Sequence, residues 1–167
     1  MLIRPATPID APQIHAVTSA AFGRVEEADL VEALVDAGHT ALSLVACDAA
    51  GEVCGHVLFS PVQAPGAEGA VQGLAPIAVA PQVQGRGLGS ALVREALREL
   101  QAAGTAAVVV LGDPAYYGRF GFVPASEYGL TCAYDVPDEY FMALELVPGA
   151  LAGGNGVVLY APEFAAV

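Results

Sequence analysis

The chain of 167 residues can bury one full core, and it is too short for a doubly wound dinucleotide domain joined to a substrate domain. A formal net charge of -12, with six arginines and no lysine, speaks against nucleic acid and against anionic membrane, both of which are held by clustered basic side chains. Hydrophobic residues make up 55% of the chain, yet no apolar run reaches the ~18 residues of a membrane span.

The N-terminus, Met1-Leu2-Ile3-Arg4-Pro5, lacks a signal-peptide core, so a soluble cytoplasmic protein is expected. Leu2 to Arg4 reads as a short strand. Ile9 to Phe22 reads as a helix with Ile14, Val17, Ala21 and Phe22 on its apolar face, and Glu26 to Ala37 as a second helix closed by Gly38. Glu26, Glu27 and Asp29 stand in the first turn of that second helix, where acidic side chains complement the helix dipole and can also meet a cation. Ala41 to Cys47 and Glu52 to Ser60 form the arms of a predicted hairpin around Asp48-Ala49-Ala50-Gly51. Cys47 and Cys54 can face each other across it. The three cysteines are odd in number and show no Cys-x-x-Cys spacing, so buried reduced thiols are expected, with no disulfide framework and no metal site. His56 lies inside the second arm, a setting for a hydrogen-bonded structural histidine or for a base. Pro61 to Gly69 reads as a loop.

Gly73 to Val79 reads as a strand, followed by a turn through Ala80-Pro81-Gln82-Val83 and the run Gln84-Gly85-Arg86-Gly87-Leu88-Gly89-Ser90, which feeds an amphipathic helix through Leu92, Ala96, Leu97 and Leu100. A glycine-rich loop at a helix N-terminus offers unpaired amides and the positive end of the dipole, and so suits a diphosphate. Arg86 and the Ser90 hydroxyl can add contacts. A Walker A loop needs a lysine and is ruled out. A dinucleotide fingerprint fits Gly85 and Gly87, with Asp113 as a ribose partner, but Ser90 stands at the third glycine position. Gln-x-x-Gly-x-Gly, as Gln84, Gly87 and Gly89, fits without adjustment.

Beyond Gly104, Thr105 to Leu111 is an apolar run suited to a strand buried on both faces and lying parallel to the preceding strand. Asp113 and Pro114 then open a short helix as N-cap and first residue, carrying Tyr116, Tyr117, Arg119 and Phe120. Leu130 to Tyr134 and Phe141 to Val147 read as the last strands of the sheet, with Val157 to Tyr160 as a terminal edge strand. No internal repeat or linker breaks the chain, and residues 1–167 are expected to form a single domain.

The strand, the Gln-x-x-Gly-x-Gly loop, the helix and the later Tyr117-x-x-x-Gly121-Phe122 resemble, in this order, the GNAT superfamily of N-acetyltransferases. The run Gly112 to Phe122 is similar to a bacterial branch of predicted acetyltransferases. The resemblance implies an α/β fold, a single GNAT-like domain with a mixed central sheet of about six to seven strands and flanking helices. It implies acetyl-CoA as co-substrate, an amine acceptor and direct attack in a ternary complex; a homodimer stays open. By the same resemblance, the pantetheine arm lies along the backbone of Ile77, Ala78 and Val79, the diphosphate lies over Gln84, Gly85, Arg86, Gly87, Leu88, Gly89 and Ser90, and residues 23–27 form part of the acceptor wall.

The chemistry sets further requirements. An alkylamine with a pKa near 10.4 is neutral only about once in 2,500 molecules at pH 7, a penalty of ~4.6 kcal/mol, so a group or water chain must take its proton. Glu27, on the acceptor wall, is the preferred candidate, and His56 is the other. The resemblance places at Tyr117 the tyrosine that protonates or hydrogen-bonds the departing sulfur. Core packing in an aromatic cluster is the alternative role. Many relatives carry an asparagine seven residues before this tyrosine; here that residue is Val110. A domain that binds acyl-CoA without turning it over, as a sensor or structural subunit, is the alternative to an enzyme.

Overall fold

The computed structural model describes residues 1–167. In chain order the strands and α-helices are β1 (Leu2–Pro5), α1 (Ala11–Phe22), α2 (Glu26–Asp36), β2 (Leu42–Cys47), β3 (Val53–Val62), β4 (Val71–Val79), α3 (Leu88–Ala102), β5 (Ala107–Leu111), α4 (Pro114–Tyr117), β6 (Val123–Pro124), β7 (Leu130–Cys132), β8 (Phe141–Glu145) and β9 (Gly156–Val158). Seven strands form a mixed sheet in the order β1-β2-β3-β4-β5-β8-β6, and β7 pairs with β9 in a second, two-stranded sheet. No helix is long and apolar enough to cross a membrane. The chain divides into two compact units, one of residues 1–60, 75–98 and 161–167, the other of 61–74 and 99–160.

In the first unit β1 and β3 flank β2, both antiparallel to it. Directly opposed residues share a face, so Val45 and His56 lie on one side of the β2–β3 ladder and Ala46 and Gly55 on the other. The first side carries the core of Ile14, Leu30, Val31, Leu34, Val45, Cys47 and Leu58, supplied by α1, α2 and the strands. Against the other side lies the start of α3: a Cβ on Gly55 would stand 3.1 Å from Leu92 and 3.3 Å from Leu88. A single turn, Pro8–Asp10, leads into α1. There the Asp10 carboxylate accepts from the Thr7 amide at 2.8 Å and from both terminal nitrogens of Arg4 at 2.7 and 2.9 Å. Cys47 and Cys54 do not stand directly opposite each other across the hairpin, because the register shifts between Ala46 and Cys47 and places Cys47 opposite Val53. Cys47 and Cys54 are both free and buried, and the Cys54 thiol donates to the Ala46 carbonyl at 3.4 Å.

In the second unit Val71–Leu74 of β4 pairs in parallel with Ala107–Val110 of β5, and β5 pairs antiparallel with β8. Residues 107–110 are buried, as a strand covered on both faces requires. The core of this unit gathers Val71, Val109, Leu130, Phe141, Leu151 and Val158. Two expectations need correction. The strand at 130 is three residues long and leaves the main sheet to lie parallel to β9, and the segment 61–69 is not all loop, because β3 continues to Val62 and Gln63 bridges Leu159.

Candidate functional site

The loop between β4 and α3 is held to the strand by its own glutamine. Gln84 Nε2 donates to the Val79 carbonyl at 2.9 Å, which ties the loop entrance to the end of β4. Gly85 and Gly87 have φ of +75° and +81°, a conformation that L side chains rarely adopt, and a Cβ at either would meet nothing within 4 Å. Backbone strain therefore selects glycine here, and the space above it is open to a ligand. The Ala91 amide bonds the Gly87 carbonyl at 3.0 Å; the amides of Leu88 and Gly89 precede it in the first turn of α3, where a helix provides no acceptor. Leu88 is buried and anchors that turn, Ser90 is also buried, and Arg86 is exposed. Gln84 through Ser90 thus form an open cradle whose entrance is tied to Val79, at the end of the strand that carries Ile77 and Ala78. Amides and a helix N-terminus are the donors a diphosphate needs, and the residues present fit coenzyme A in this respect.

Glu27 also lies in the first unit. It is 7% exposed at the start of α2, and Arg24 clasps both of its carboxylate oxygens: Arg24 Nε donates to Oε1 at 2.9 Å and Nη2 to Oε2. The hydrogen-bonded guanidinium holds the Glu27 carboxyl below the usual carboxylate range. Glu26 adds a longer contact to Arg24 at 3.8 Å, and Asp29 pairs with His15 at 3.1 Å. The candidate base Glu27 is thus a carboxylate already in an ion pair. Arg24, three residues before it, is the partner that sequence reading passed over; the i, i+3 spacing was the available signal.

His56 is fully buried on β3, with Nε2 hydrogen-bonded to Ser43 Oγ at 2.8 Å. Burial pushes its pKa down to about 4, so it is neutral at pH 7 and a poor proton acceptor. It is the structural histidine of the two readings.

Tyr117 belongs to the second unit. It ends α4, which Asp113 caps by accepting from the Ala115 amide at 2.9 Å. The ring is 7% exposed and packs edge-on to Tyr116 at 4.9 Å and to Phe122 at 5.7 Å between centroids. Burial, and then the neighbouring Tyr116, push its pKa up to about 12, which keeps the phenol protonated across the physiological range. Gly112 makes room for it: a Cβ there would fall 2.3 Å from Tyr117 Cε2. Nothing in the spacing of Gly112 and Tyr117 announces this contact, which exists only once β5 and α4 are in place. Val110 is buried in β5 opposite Leu74 and Met142, so this position presents an apolar side chain.

Comparison with known proteins bears on this geometry. The family model described as an acetyltransferase (GNAT) domain matches residues 2–125. The chain is 44% identical over 164 residues to a protein of Escherichia coli K12 named "Uncharacterized N-acetyltransferase YhbS", covering 98% of both. It is similar to the crystal structure of that GNAT family protein (YhbS) from Escherichia coli in complex with CoA, with a TM-score of 0.93, 43% identity, and coverage of 98% of this chain and 91% of that one. A GNAT family acetyltransferase from Brucella melitensis in complex with acetyl-CoA gives a TM-score of 0.80 at 39% identity, covering 98% and 97%.

Proposed function

Because the chain belongs to the GNAT family of acetyltransferases, we propose that it transfers the acetyl group of acetyl-CoA to an amine by direct attack in a ternary complex. The observation that carries the reading is the open cradle at Gly85 and Gly87, tied to β4 by Gln84, in a chain whose relatives are described in complex with CoA and acetyl-CoA. In this proposal the amides of the first turn of α3 hold the diphosphate, with Arg86 and Ser90 beside them. The backbone of Ile77, Ala78 and Val79 holds the pantetheine arm. The acetyl thioester supplies the electrophilic carbonyl, to which the neutral amine adds as the carbon–sulfur bond breaks.

Tyr117 donates a hydrogen bond to the departing sulfur. A thiol near 8.5 is a stronger acid than a phenol at about 12, so the hydroxyl steadies the thiolate and solvent completes its protonation. Glu27, ionised and braced by Arg24, faces the opposite task. A carboxylate held below its usual pKa stores a proton poorly, and it serves by orienting the ammonium and passing its proton to water. The test is turnover with a panel of primary amines, read as thiol release and as acetylated product by mass. Wild-type protein should form product with at least one amine. Tyr117→Phe should lower kcat by about 10²-fold, the low end for proton assistance, with the dissociation constant of acetyl-CoA unchanged. An equal loss in Tyr116→Phe would return Tyr117 to a packing role. Saturable binding of acetyl-CoA with no product from any amine would favour the non-catalytic sensor.

A further inference from the structure

A cavity of about 470 Å³ lies within the first unit, between the open end of the α1–α2 hairpin and the β1–β2 edge. The volume is within the ~300–1,000 Å³ of small-molecule sites. It is separate from the cradle. Ser43, in its wall, is at the Leu42–Phe59 end of the β2–β3 ladder, whereas the Ala80 amide meets the Cys54 carbonyl at the other end, some five residues or ~17 Å away. Glu27 is not part of its wall: Ala28 and Val31 bring the cavity within a turn of it on α2, while Ala11, Asp36, Thr40 and Ser43 carry it toward the end of the hairpin away from Gly23.

The walls divide by chemistry. The depth is apolar, made by Ile14, Ala28 and Val31, all buried. The exposed carboxylates of Glu32 and Asp36 stand at the rim, with His15 beside them already paired to Asp29. No arginine lines the cavity, and Arg4, the nearest in sequence, is matched by Asp10. The buried Oγ1 of Thr40 lacks a hydrogen-bond partner, and Ser43 carries the His56 contact. A buried hydroxyl without a partner marks a wall that a polar ligand atom would complete.

We infer that this cavity is a second small-molecule site, for an organic monocation with an apolar body of the size of an alkylammonium. The apolar part fills the space above Ile14 and Val31, and the cationic head lies between Glu32 and Asp36. Anions are disfavoured by the two carboxylates, and neutral chains gain nothing from them. The inference does not depend on the acetyl-transfer reading.

The experiment uses the full chain saturated with CoA, which carries no acetyl group, and titrates n-hexylammonium while backbone amide shifts are followed. Shifts should gather at Ile14, Val31, Thr40 and Ser43, with N,N,N-trimethylhexylammonium, which cannot be acetylated, acting at the same residues. 1-Hexanol and hexanoate should bind at least ~10-fold more weakly, and Glu32→Gln with Asp36→Asn should cost the hexylammonium a similar factor. Ala11→Trp, a change at an exposed position of the mouth, should abolish the shifts while CoA binding stays as in wild type. The inference is overturned if the shifts fall at residues 77–90, if hexanol binds as well as hexylammonium, or if Ala11→Trp binds as wild type. It is equally overturned if sedimentation shows a dimer that Ala11→Trp dissociates, since a second copy would then own this face.

Discussion

Tyr117 and His56 are both buried and both neutral at pH 7, for the same reason: burial penalises whichever form of the group carries charge. For Tyr117 this means that the hydroxyl never ionises in the working range. The rate ratio of wild type to Tyr117→Phe should then be flat between pH 6 and 10, as measured by kcat at saturating acetyl-CoA; a ratio that collapses near pH 9 would contradict a phenol pushed up to about 12. For His56 the consequence is in stability. The unfolded chain, with histidine near 6.5, binds a proton that the folded chain refuses until about pH 4. Stability is therefore complete above pH 6.5 and is lost as pH falls from 6.5 toward 4, by up to ~3 kcal/mol or roughly 6–12 °C of Tm. Thermal melts at pH 7 and pH 4 should show wild type losing that much more than His56→Gln. Gly112 is the third residue with a sharp expectation. Alanine there strikes the Tyr117 ring, so Gly112→Ala should lower Tm by roughly 3–10 °C and depress turnover along with it, since overpacking costs about 1–3 kcal/mol and shifts the ring.

Among the elements, the β4–loop–α3 unit, to which our proposal assigns acetyl-CoA, was the most legible. Its signals are local: an apolar strand, glycines at fixed spacing, and a helical period after them. The structure adds why glutamine opens the loop, namely the bond from Gln84 to the Val79 carbonyl. Loss of one exposed hydrogen bond of this kind costs about 0.5–1.5 kcal/mol, so Gln84→Ala should weaken acetyl-CoA roughly 3- to 10-fold by calorimetry without changing the chemical step. What stayed hidden was non-local. Leu130 to Tyr134 read as a strand of the main sheet, but so short a run carries no information about which neighbour it pairs with, and residues 130–132 pair with β9. The bulge at Ala46 and Cys47 reset the register of the two thiols, and alternation of side chains alone cannot reveal an inserted residue. Glu27 was placed correctly in the first turn of α2, while its bond to Arg24, which changes its chemistry, was a local i, i+3 signal that went unread.

For the molecule as a whole, the charge balance explains how an acidic protein accommodates a polyanion. With six arginines and no lysine, the donors that our proposal assigns to the diphosphate are mostly backbone, and backbone amides bind such a group without raising the net charge above -12. The surplus carboxylate is free to attract amines, and Glu32 and Asp36 at the α1–α2 cavity are one place where it does so on our inference. Affinity for acetyl-CoA should consequently depend on loop geometry far more than on any single basic side chain. The most direct measurement is a thermal melt of wild type and Gly87→Glu with acetyl-CoA or NAD at about 100 times the dissociation constant expected for acetyl-CoA. Wild type should gain ~2.7 kcal/mol, or roughly 5–10 °C, with acetyl-CoA and nothing with NAD, and Gly87→Glu should lose the response because its φ of +81° strains a side chain whose carboxylate then occupies the diphosphate's place. A wild-type melt that responds to NAD and ignores acetyl-CoA, or a Gly87→Glu protein that responds to acetyl-CoA as fully as wild type, would contradict the account.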